Sequence, residues 1–592
     1  MGQRSRRSTH RRFAGIAFGG TAAIVGALLA APAAGAAIPA TASADLGTRT
    51  FSAKPVGITY VGMSSPSAAA MAAAPSAAGP GATSHRLPAL SPKGVVAAAQ
   101  AAGAGLPSVV GSPRLSPSTS SGAKLAANFD GVNAFQNKSA AGFDLEPPDE
   151  GLGAGNGYVA NFVNVTGAIY TTGGKRVTRP FYLNPFFGES DAANISDPRV
   201  YFDPDSRRWF ATAVEYDFNK DYTAVTGSRI DLAVSTSADP TGSWRDYRIN
   251  ADNRAHRGCP CLADYPILGV NRSNVYISTS EFTSNLKAFN GSQLYAVSKS
   301  QLVAGRHAPG AVLFSNLAVA GSLAYHVQPA TSYSAAPAEY LMSSLDPDST
   351  YDNRLAVWAV TNEHAVTSGS GRPTLSVRVI RSEGYAFPPN AQTPPGFCGG
   401  SLCDGGARTT GVVQTDFDAM QEVQYINGQL VGALNTGLHV AGDTGPRSGM
   451  AWFVVRPFVS GHSVSSATHV ARQGYLAERG EYLLYPHVNM AADGTMAAVF
   501  GLGGPGTYLS AAYSTAAPGK GFGGIRLAAA GVAPDNGFTG TKAFGGAGRW
   551  GDYSGGQYVP GTGKIWLATQ YIPNKGDGNA NWGNRIFALA TR

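Results

Sequence analysis

Seven acidic or histidine side chains recur at comparable points along the chain, each near the start of a predicted strand. Side chains of this kind can accept hydrogen bonds, coordinate a hard cation or exchange a proton with a substrate. Arg199 and Arg549 lie close to two of these positions in sequence and can hold an anionic ligand by bidentate contacts. The seven positions are Asp149, Asp197, Asp264, His326, Glu422, His487 and Asp552.

The chemistry of these residues depends on whether they face a common axis. If they do, Asp197, Asp264 and Asp552 are the candidate acid, base and electrostatic positioner of a glycan-active enzyme. With Asp149 they are also the candidate ligands of Ca²⁺, which prefers hard oxygen donors. In the alternative interpretation each Asp caps its own turn by accepting backbone N–H bonds, and each Arg pairs with an acid of its own repeat.

The elements that carry these residues are predicted to be β-strands. From Phe129 onward, short alternating runs of aromatic and β-branched residues are interrupted every few residues by Gly, Asn, Asp or Pro. No long run has the spacing of an amphipathic helix. The sequence therefore predicts an all-β fold.

An internal repeat predicts the architecture. Arg549–Tyr571 contains an acid, a turn of small residues and a strand rich in aromatics, and six similar segments precede it. Their spacing of about 60 residues leaves room for two further strands in each interval. We expect a β-propeller of four-stranded antiparallel blades, with seven blades favoured, six or eight compatible and a pair of β-sandwiches as the alternative. Asn427-Gly428 and Asp493-Gly494 are expected to form type I′ hairpin turns.

The N-terminal part has a different composition. Residues 1–44 contain five arginines, a weakly apolar run and the small-residue site Ala42-Ser43-Ala44. This pattern is typical of a bacterial export signal, of the Sec or the twin-arginine type, with a retained membrane anchor as the alternative. Residues 45–125 are rich in Ala, Pro, Ser and Gly and are predicted to be a disordered linker or pro-segment, and residues 126–592 the propeller.

Charge excludes one class of partner. The formal net charge of +8 falls to about +3 without residues 1–44. No run of Lys or Arg remains, so we expect no nucleic-acid partner. The processed chain is expected to be a monomer with no stable membrane span.

Four cysteines are present, Cys259, Cys261, Cys398 and Cys403. In an exported protein they are expected to be oxidised, and four cysteines allow three pairings. A Cys398–Cys403 bridge would staple a Gly-rich loop. A zinc site is the alternative, although no His lies at ligand spacing beside either pair.

Two sets of motifs resemble known propellers. Asp264-Tyr265-Pro266 and Arg549–Ser554 resemble a group of secreted bacterial β-propeller proteins whose functions are mostly unassigned. Ser237–Trp244 resembles the Asp-box hairpin of sialidase-like propellers, with altered spacing. This resemblance implies a propeller and a structural turn, and it does not establish glycoside hydrolysis. A sialidase-like site would also need a third arginine and a tyrosine nucleophile, for which Arg254, Arg257 and Tyr265 are candidates.

The motifs of other enzyme classes are absent from the sequence. It contains no Gly-x-Ser-x-Gly elbow, no His-Glu-x-x-His motif and no phosphate-binding Gly-rich loop before a helix. We expect a secreted propeller that binds a polysaccharide or a surface protein at its central funnel, with Ca²⁺ as the candidate cofactor. The alternatives are a glycan-active hydrolase or lyase and a structural or adhesion protein of the envelope. The aromatics are expected in the blade cores, with Trp358 and Trp582 as candidate exposed exceptions.

Overall fold

The computed structural model describes residues 48–72, 106–109, 123–345, 351–369, 372–415, 417–576 and 578–591. The predicted export signal and most of the predicted linker lie outside these residues. The fold is all-β, as predicted. Five strands precede its repeated part: β1 (Arg49–Ser52), β2 (Lys54–Pro55), β3 (Ile58–Ser64), β4 (Ser108–Val109) and β5 (Lys124–Asn133).

Within the described residues most of the next strands pair antiparallel with the following strand of the chain, and for reference we group them as modules 1 to 7; β3 is a fifth strand beside module 2, and modules 3 to 5 belong to one 16-stranded sheet. Module 1 contains β6 (Gly151–Gly155), β7 (Tyr158–Val163), β8 (Thr166–Thr171) and β9 (Phe181–Tyr182). Module 2 contains β10 (Asn194–Asp203), β11 (Arg208–Phe218), β12 (Val225–Ser235) and β13 (Trp244–Asn250). Module 3 contains β14 (Leu262–Val270), β15 (Asn274–Phe282), β16 (Phe289–Ser298) and β17 (Ala311–Val319), and β18 (Ser322–Leu323) pairs with β17.

Module 4 contains β19 (Gln328–Ser332), β20 (Glu339–Ser344), β21 (Asp352–Thr361) and β22 (Thr374–Tyr385). Two small hairpins follow it, with β23 (Ala391–Gln392) paired to β26 (Val412–Val413) and β24 (Phe397–Cys398) paired to β25 (Ala407–Arg408). Module 5 contains β27 (Val423–Ile426), β28 (Gln429–Val440), β29 (Arg447–Arg456) and β32 (His469–Leu476), and its loop carries the hairpin of β30 (Val459–Ser460) and β31 (Ser463–Val464).

Module 6 contains β33 (Tyr482–Met490), β34 (Met496–Gly504), β35 (Thr507–Ala516) and β36 (Arg526–Ala529). Module 7 contains β37 (Gly555–Val559), β38 (Lys564–Tyr571) and β39 (Gly583–Ala590), and its fourth strand is β5 from the N-terminal side. This pairing joins the two ends of the repeated region.

The first strands of neighbouring modules lie side by side. Val270 of β14 pairs in parallel with Thr331 of β19, and Ala330 of β19 pairs in parallel with Val423 of β27. Between β6 and β10 the backbones approach so closely that a Cβ on Gly151 would lie 2.6 Å from the Pro198 carbonyl oxygen. Only glycine fits at such a position, which explains a glycine inside this strand.

The helical elements are short and peripheral to the modules. They are α1 (Pro66–Met71), α2 (Ala134–Ala141), α3 (Leu183–Phe186), α4 (Lys299–Val303) and α5 (Ala365–Ser368), with 3₁₀ turns at Ser401–Cys403, Phe538–Gly540 and Lys542–Phe544. Ser65 and Asn133 cap the N-termini of α1 and α2 with their side-chain oxygens. Among the residues described, no helix has the length and apolarity needed to cross a membrane.

Part of the predicted disordered linker is ordered, which corrects that prediction. β1 pairs with β22, β2 with β17 and β3 with β13, so residues 49–64 extend the outer edges of three modules. Adding a strand to an exposed edge satisfies its free N–H and C=O groups. The linker prediction for the remainder of residues 45–125 falls largely outside the described residues.

The module cores contain the large aromatic residues. Trp209, Trp244, Trp358, Trp550 and Trp566 are fully buried, and Trp582 is nearly so. The expectation that Trp358 and Trp582 are exposed was therefore wrong. Strands such as β14 and β33 are buried on both faces because neighbouring modules cover them.

Two turns test the hairpin prediction. Asn427 and Gly428 both have positive φ, 49° and 77°, as a type I′ turn requires. At Asp493-Gly494 only Gly494 has positive φ, and the Asp493 carboxylate accepts a hydrogen bond from the Thr495 N–H instead. This turn is stabilised by its aspartate side chain and is not of type I′.

Candidate functional site

The entry to the first strand carries the same backbone feature in six modules. A residue there has φ in the left-handed region, which non-glycine residues adopt rarely. In modules 2, 3 and 6 the pairing register also shifts at this point, which marks a β-bulge. A bulge redirects the side chains beside it. The six residues are Asp149 (φ 47°), Asp197 (φ 55°), Tyr265 (φ 53°), His326 (φ 42°), Tyr485 (φ 51°) and Gly551 (φ 144°).

These bulges bring the predicted site residues of different modules together. We call the resulting group the axial cluster. Charge interactions, hydrogen bonds or ring contacts connect all of its members. Its members are Asp149, Asp197, Asp264, Asp552, Arg199, Arg549, His326, Glu422, His487, Tyr265 and Tyr553.

Two aspartates join modules through backbone N–H groups. Asp149 Oδ1 accepts a hydrogen bond of 2.7 Å from the N–H of Asp552, which lies just before module 7. Asp197 Oδ2 of module 2 accepts a hydrogen bond of 3.1 Å from the Tyr265 N–H of module 3. The alternative interpretation, in which each Asp accepts backbone N–H bonds, is therefore correct in part. The N–H groups that these two aspartates accept belong to other modules and not to their own turns.

Asp197 and Asp264 are buried carboxyl groups that act on each other. Burial, followed by the nearby charge of Asp197, raises the pKa of Asp264 well above its usual range. Burial also raises the pKa of Asp197, while the Tyr265 N–H and the positive charge of Arg199 oppose this rise. Both groups therefore favour the protonated form more than exposed aspartates do.

Asp149 is also buried among acids. Its pKa is raised well above the usual range by burial and then by the charges of Asp552 and Asp197. Asn164 donates to Asp149 Oδ2 at 2.8 Å, and its own side-chain oxygen accepts the Asp197 N–H at 2.8 Å. One amide side chain thus fixes both aspartates.

Arg549 pairs with an acid of its own repeat. Its Nη2 lies 2.5 Å from Asp552 Oδ2. The backbone N–H of Arg549 is held by Thr539 Oγ1 at 2.9 Å, and Thr539 in turn donates to the buried carboxylate of Glu146 at 2.7 Å. These contacts fix the loop that presents the Arg549–Asp552 pair.

Arg199 pairs with an acid of a distant module. Its Nη1 lies 2.6 Å from Glu422 Oε1, and its guanidinium lies 3.2 Å from the centre of the Tyr553 ring. The Tyr553 hydroxyl donates to the Pro198 carbonyl at 3.0 Å. Three modules therefore contribute to the placement of one guanidinium, which is a stronger restraint than a pair within one repeat.

The two histidines are buried. Nδ1 of His487 lies 3.5 Å from Glu422 Oε2, and its Nε2 lies 3.0 Å from Asn489 Oδ1. His326 packs against the rings of Tyr265 and Phe417, with centroid distances of 4.5 and 5.3 Å. Burial, then the charge of Arg199, lowers the pKa of His326 to about 3, so this ring is neutral at physiological pH.

Solvent reaches only part of the axial cluster. The side chains of Glu422, Asp552 and Arg549 are 24%, 13% and 11% exposed. Asp149, Asp197, Asp264 and His326 are buried. A ligand arriving from solvent would therefore meet the Glu422 carboxylate and the Arg549–Asp552 pair first.

The structure does not assemble the arginine set of a sialidase-like site from the residues proposed for it. Arg254 pairs with Asp252 at 2.7 Å and is 62% exposed, and Arg257 is exposed. Tyr265 does belong to the axial cluster. The Asp-box-like segment is a structural turn: the Asp239 carboxylate accepts from Thr241, and Trp244 is buried with its Nε1 donating to Pro240.

Sequence reasoning missed Tyr553, Asn164 and Asn489 as parts of the site. Tyr553 follows Asp552 directly in the sequence, and this position beside a predicted site residue could have identified it. Asn164 and Asn489 lie in strands or turns where an asparagine has no distinctive pattern.

The predicted Ca²⁺ ligands do not form a tight group of three. In the described part of the chain, two groups of three acidic, His or Cys residues have ligand atoms within 4.8 Å of one another, and neither includes an axial aspartate. One group contains Cys259, and the other, Glu189, Glu215 and Asp231, is neutralised by Arg229 and Arg248. Ca²⁺ binding by Asp149, Asp197, Asp264 and Asp552 stays a prediction.

The cysteines form two disulfides, Cys259–Cys261 and Cys398–Cys403. The second closes the Gly-rich loop between modules 4 and 5, as suggested by its spacing. Because Cys259 is oxidised, it is not available as a thiolate ligand for a metal ion.

No protein-family model matches the sequence, and no curated protein is significantly similar to it. Several solved structures match the chain. One is an exo-β-1,3-galactanase from Clostridium thermocellum, which is 10% identical; the match covers 80% of this chain and 100% of that chain, with a TM-score of 0.29. An α-L-arabinanase from Cellvibrio cellulosa is 11% identical, with coverage of 64% and 95% and a TM-score of 0.28. A sialidase from Trypanosoma rangeli is 10% identical, with coverage of 67% and 55% and a TM-score of 0.31. At these TM-scores the description of the fold rests on the strand pairing of the chain itself.

Proposed function

We propose that the protein is a secreted seven-bladed β-propeller, with modules 1 to 7 as its blades, and that it binds a neutral polysaccharide at the axial cluster. The export pattern of residues 1–44 and the two disulfides support an extracellular location. The lateral contacts between first strands and the β5–β39 pairing support a closed ring.

The observation that carries the proposal is two ion pairs, Arg199–Glu422 and Arg549–Asp552, whose carboxylates both reach solvent. A carboxylate only accepts hydrogen bonds and a guanidinium only donates them. A sugar hydroxyl does both, so neighbouring hydroxyls can bond to both members of such a pair. Preorganised pairs held by several blades cost little to order when the ligand binds.

The charges of the axial cluster favour a neutral ligand over an anionic one. Each arginine already has a carboxylate partner, and Asp149 and Asp197 lie behind these pairs. An anionic sugar would have to compete with those partners and face an excess of carboxylates. Like-charge contacts of this kind are unfavourable in a partly buried site.

The carboxyl pair Asp197–Asp264 favours binding over hydrolysis. Glycosidases that use two carboxyl groups hold them about 5–5.5 Å or about 6.5–9.5 Å apart. Asp197 and Asp264 are both buried, so a substrate that arrives from solvent does not reach them directly. Their candidate roles as acid and base stay predictions, and Asp552 is paired with Arg549.

The experiment is a binding screen of the purified protein against immobilised neutral polysaccharides, acidic polysaccharides and extracellular proteins, each with and without EDTA. We expect retention on one or more neutral polysaccharides, and no release of reducing ends from them. Asp552→Asn is expected to weaken retention, whereas Asp217→Asn, which alters an ion pair with Arg229 outside the axial cluster, leaves it unchanged.

Retention on acidic polysaccharides or proteins alone would contradict the proposed ligand class. Reducing-end or unsaturated-end release would support the hydrolase or lyase alternative. No retention on any ligand would favour a structural or adhesion role in the envelope.

A further inference from the structure

A second polar cluster lies away from the axial cluster, where modules 3 and 4 meet. The turn after β14 contributes Asn271, and β15 contributes Asn274 and Tyr276. Module 4 contributes Glu339 at the start of β20 and Glu363 just after the end of β21. Glu339, Asn274 and Tyr276 are fully buried, and Glu363 is partly exposed.

Glu363 is well supplied with hydrogen-bond donors. The side-chain amide of Asn271 and the hydroxyl of Tyr276 both donate to its Oε1. Asn274 Nδ2 donates to the Tyr276 hydroxyl at 3.1 Å and to the Glu363 carbonyl at 3.3 Å. These contacts fix the Glu363 carboxylate at the interface between the modules.

Glu339 and Asn274 contribute buried side-chain oxygens to the same cluster without such donors. Among the described residues, the two carboxylate oxygens of Glu339 have no hydrogen-bond partner. The side-chain oxygen of Asn274 has none either. The Ala330 N–H and the Asn271 amide lie near enough to lower the pKa of Glu339, yet neither makes a hydrogen bond of good geometry with it. A buried carboxylate in this state is costly unless something else satisfies it.

The charge of the cluster is also uncompensated. Burial, then the charge of Glu363, raises the pKa of Glu339. Both carboxylates in turn raise the pKa of Tyr276, so all three groups lie close together. Among the described residues, no Lys or Arg acts on either carboxyl group. This differs from Glu189, Glu215 and Asp231, which two arginines neutralise.

We propose that Glu339, Glu363 and the side-chain oxygen of Asn274 bind a Ca²⁺ ion that joins modules 3 and 4. The donors are all oxygen atoms, two of them on carboxylates, which suits a hard cation, and no His or Cys is present to favour zinc. Ca²⁺ accepts irregular geometry and several oxygens from different chain segments, whereas Mg²⁺ requires a near-octahedral site. The site is separate from the polysaccharide-binding cluster and does not depend on it.

The test measures the melting temperature of the full protein in EDTA and in Ca²⁺. We expect Ca²⁺ to raise the melting temperature of the wild type by several degrees, because an ion that binds only the folded state stabilises it. Glu339→Gln is expected to lose this response while remaining folded, since the substitution keeps the shape and removes the repulsion with Glu363. Glu481→Gln is the matched control, because Glu481 is partly buried and bound by Thr507 in module 6.

A second readout does not depend on stability. The phenol of Tyr276 would sensitise the luminescence of Tb³⁺ bound at this site. Added Ca²⁺ would displace the Tb³⁺ and lower this luminescence. We expect at least a fivefold lower signal in Tyr276→Phe. An unchanged melting temperature of the wild type in Ca²⁺, or a full Ca²⁺ response in Glu339→Gln, would overturn the proposal. A response lost in Asp264→Asn but kept in Glu339→Gln would place the ion at the axial cluster instead.

Discussion

At the scale of single residues, the axial cluster contains charges that are paired across modules. The Arg199 guanidinium lies between the Glu422 carboxylate and the Tyr553 ring, and it is almost fully buried. A buried charge of this kind is tolerated because a carboxylate and an aromatic face replace the water it has lost. Removing the arginine leaves the carboxylate without its partner.

Arg199→Met is therefore expected to reduce the free energy of unfolding by about 2 kcal/mol. This is less than the full cost of leaving a buried charge unpaired, because the Glu422 carboxylate stays partly solvated. Arg272→Met is the control, because that side chain is 75% exposed and its partner Asp205, 3.8 Å away, is 51% exposed. Its effect is expected to stay within about 0.5 kcal/mol. Urea denaturation measures both values, and equal effects of the two substitutions would contradict the assigned role of Arg199.

The low pKa of His326 predicts a pH dependence of stability. In the unfolded chain a histidine titrates near a pKa of about 6.5, whereas in the folded protein burial lowers the pKa of His326 to about 3. Between these values the unfolded state binds more protons, so the stability that this residue contributes is present above pH about 6.5 and is lost as the pH falls.

His326→Phe should remove this contribution while preserving contact with the surrounding rings. Between pH 7 and pH 5 the wild type is expected to lose about 2 kcal/mol more stability than the variant. The comparison with the variant matters because raised pKa values, such as that of Asp264, act in the opposite direction. His364→Phe, at an exposed position, is the control, and a parallel pH profile of wild type and His326→Phe would contradict the assignment.

The sequence predicted most residues of the axial cluster, but it did not predict their contacts. The recurrence of an acid or histidine at each strand entry was visible. The partners were not, because Arg199 and Glu422 are 223 residues apart and Asp149 and Asp552 are 403 residues apart. The left-handed backbone at these entries was also hidden, since only Gly551 among the six residues is a glycine.

At the scale of elements, side chains of the first strands connect neighbouring modules. Gln557 of β37 is buried, and its Oε1 accepts the N–H of Ala154 at 2.9 Å and that of Phe202 at 3.2 Å. Its Nε2 donates to the Phe202 carbonyl at 2.6 Å. One amide thus satisfies backbone groups of modules 1 and 2 from module 7.

Gln557→Leu keeps much of the side-chain volume and leaves those three backbone groups without a partner. We expect a loss of about 3 kcal/mol, because each buried unsatisfied group costs about 1–3 kcal/mol and some will rearrange. Gln392→Leu, at an exposed position of β23, is the control and is expected to change stability little. Thermal unfolding measures both, and a loss below about 1 kcal/mol in Gln557→Leu would show that this residue does not connect the modules.

The strand elements were predictable because alternating aromatic and β-branched residues recur between turn residues. The edge strands were not predicted. Ile58–Ser64 contains β-branched and aromatic residues. It precedes a long Ala- and Pro-rich stretch, and the composition of that stretch placed it in the predicted linker. Its exposed and intermediate residues acquire a strand structure only because β13 offers an unpaired edge.

At the scale of the whole molecule, the pairing of β5 with β39 joins residues more than four hundred positions apart, for example Arg585 with Asp130 at 2.6 Å. No local pattern specifies which distant strand completes the last module, so this closure could be inferred only from the repeat. The pairing holds the last strand of module 7 beside the segment that leads into module 1. Arg199 and Glu422 meet only if the modules between them are in place.

The central claim is that the two ion pairs of the axial cluster, whose carboxylates reach solvent, bind a neutral polysaccharide. The most direct test is calorimetric titration of the polysaccharide retained in the screen into wild type, Asp552→Asn and the control Asp217→Asn. We expect Asp552→Asn to weaken binding about tenfold or more, since a hydrogen bond to a charged group contributes about 1.5–3 kcal/mol. The control is expected to bind like the wild type. Equal affinity of all three proteins would contradict the claim.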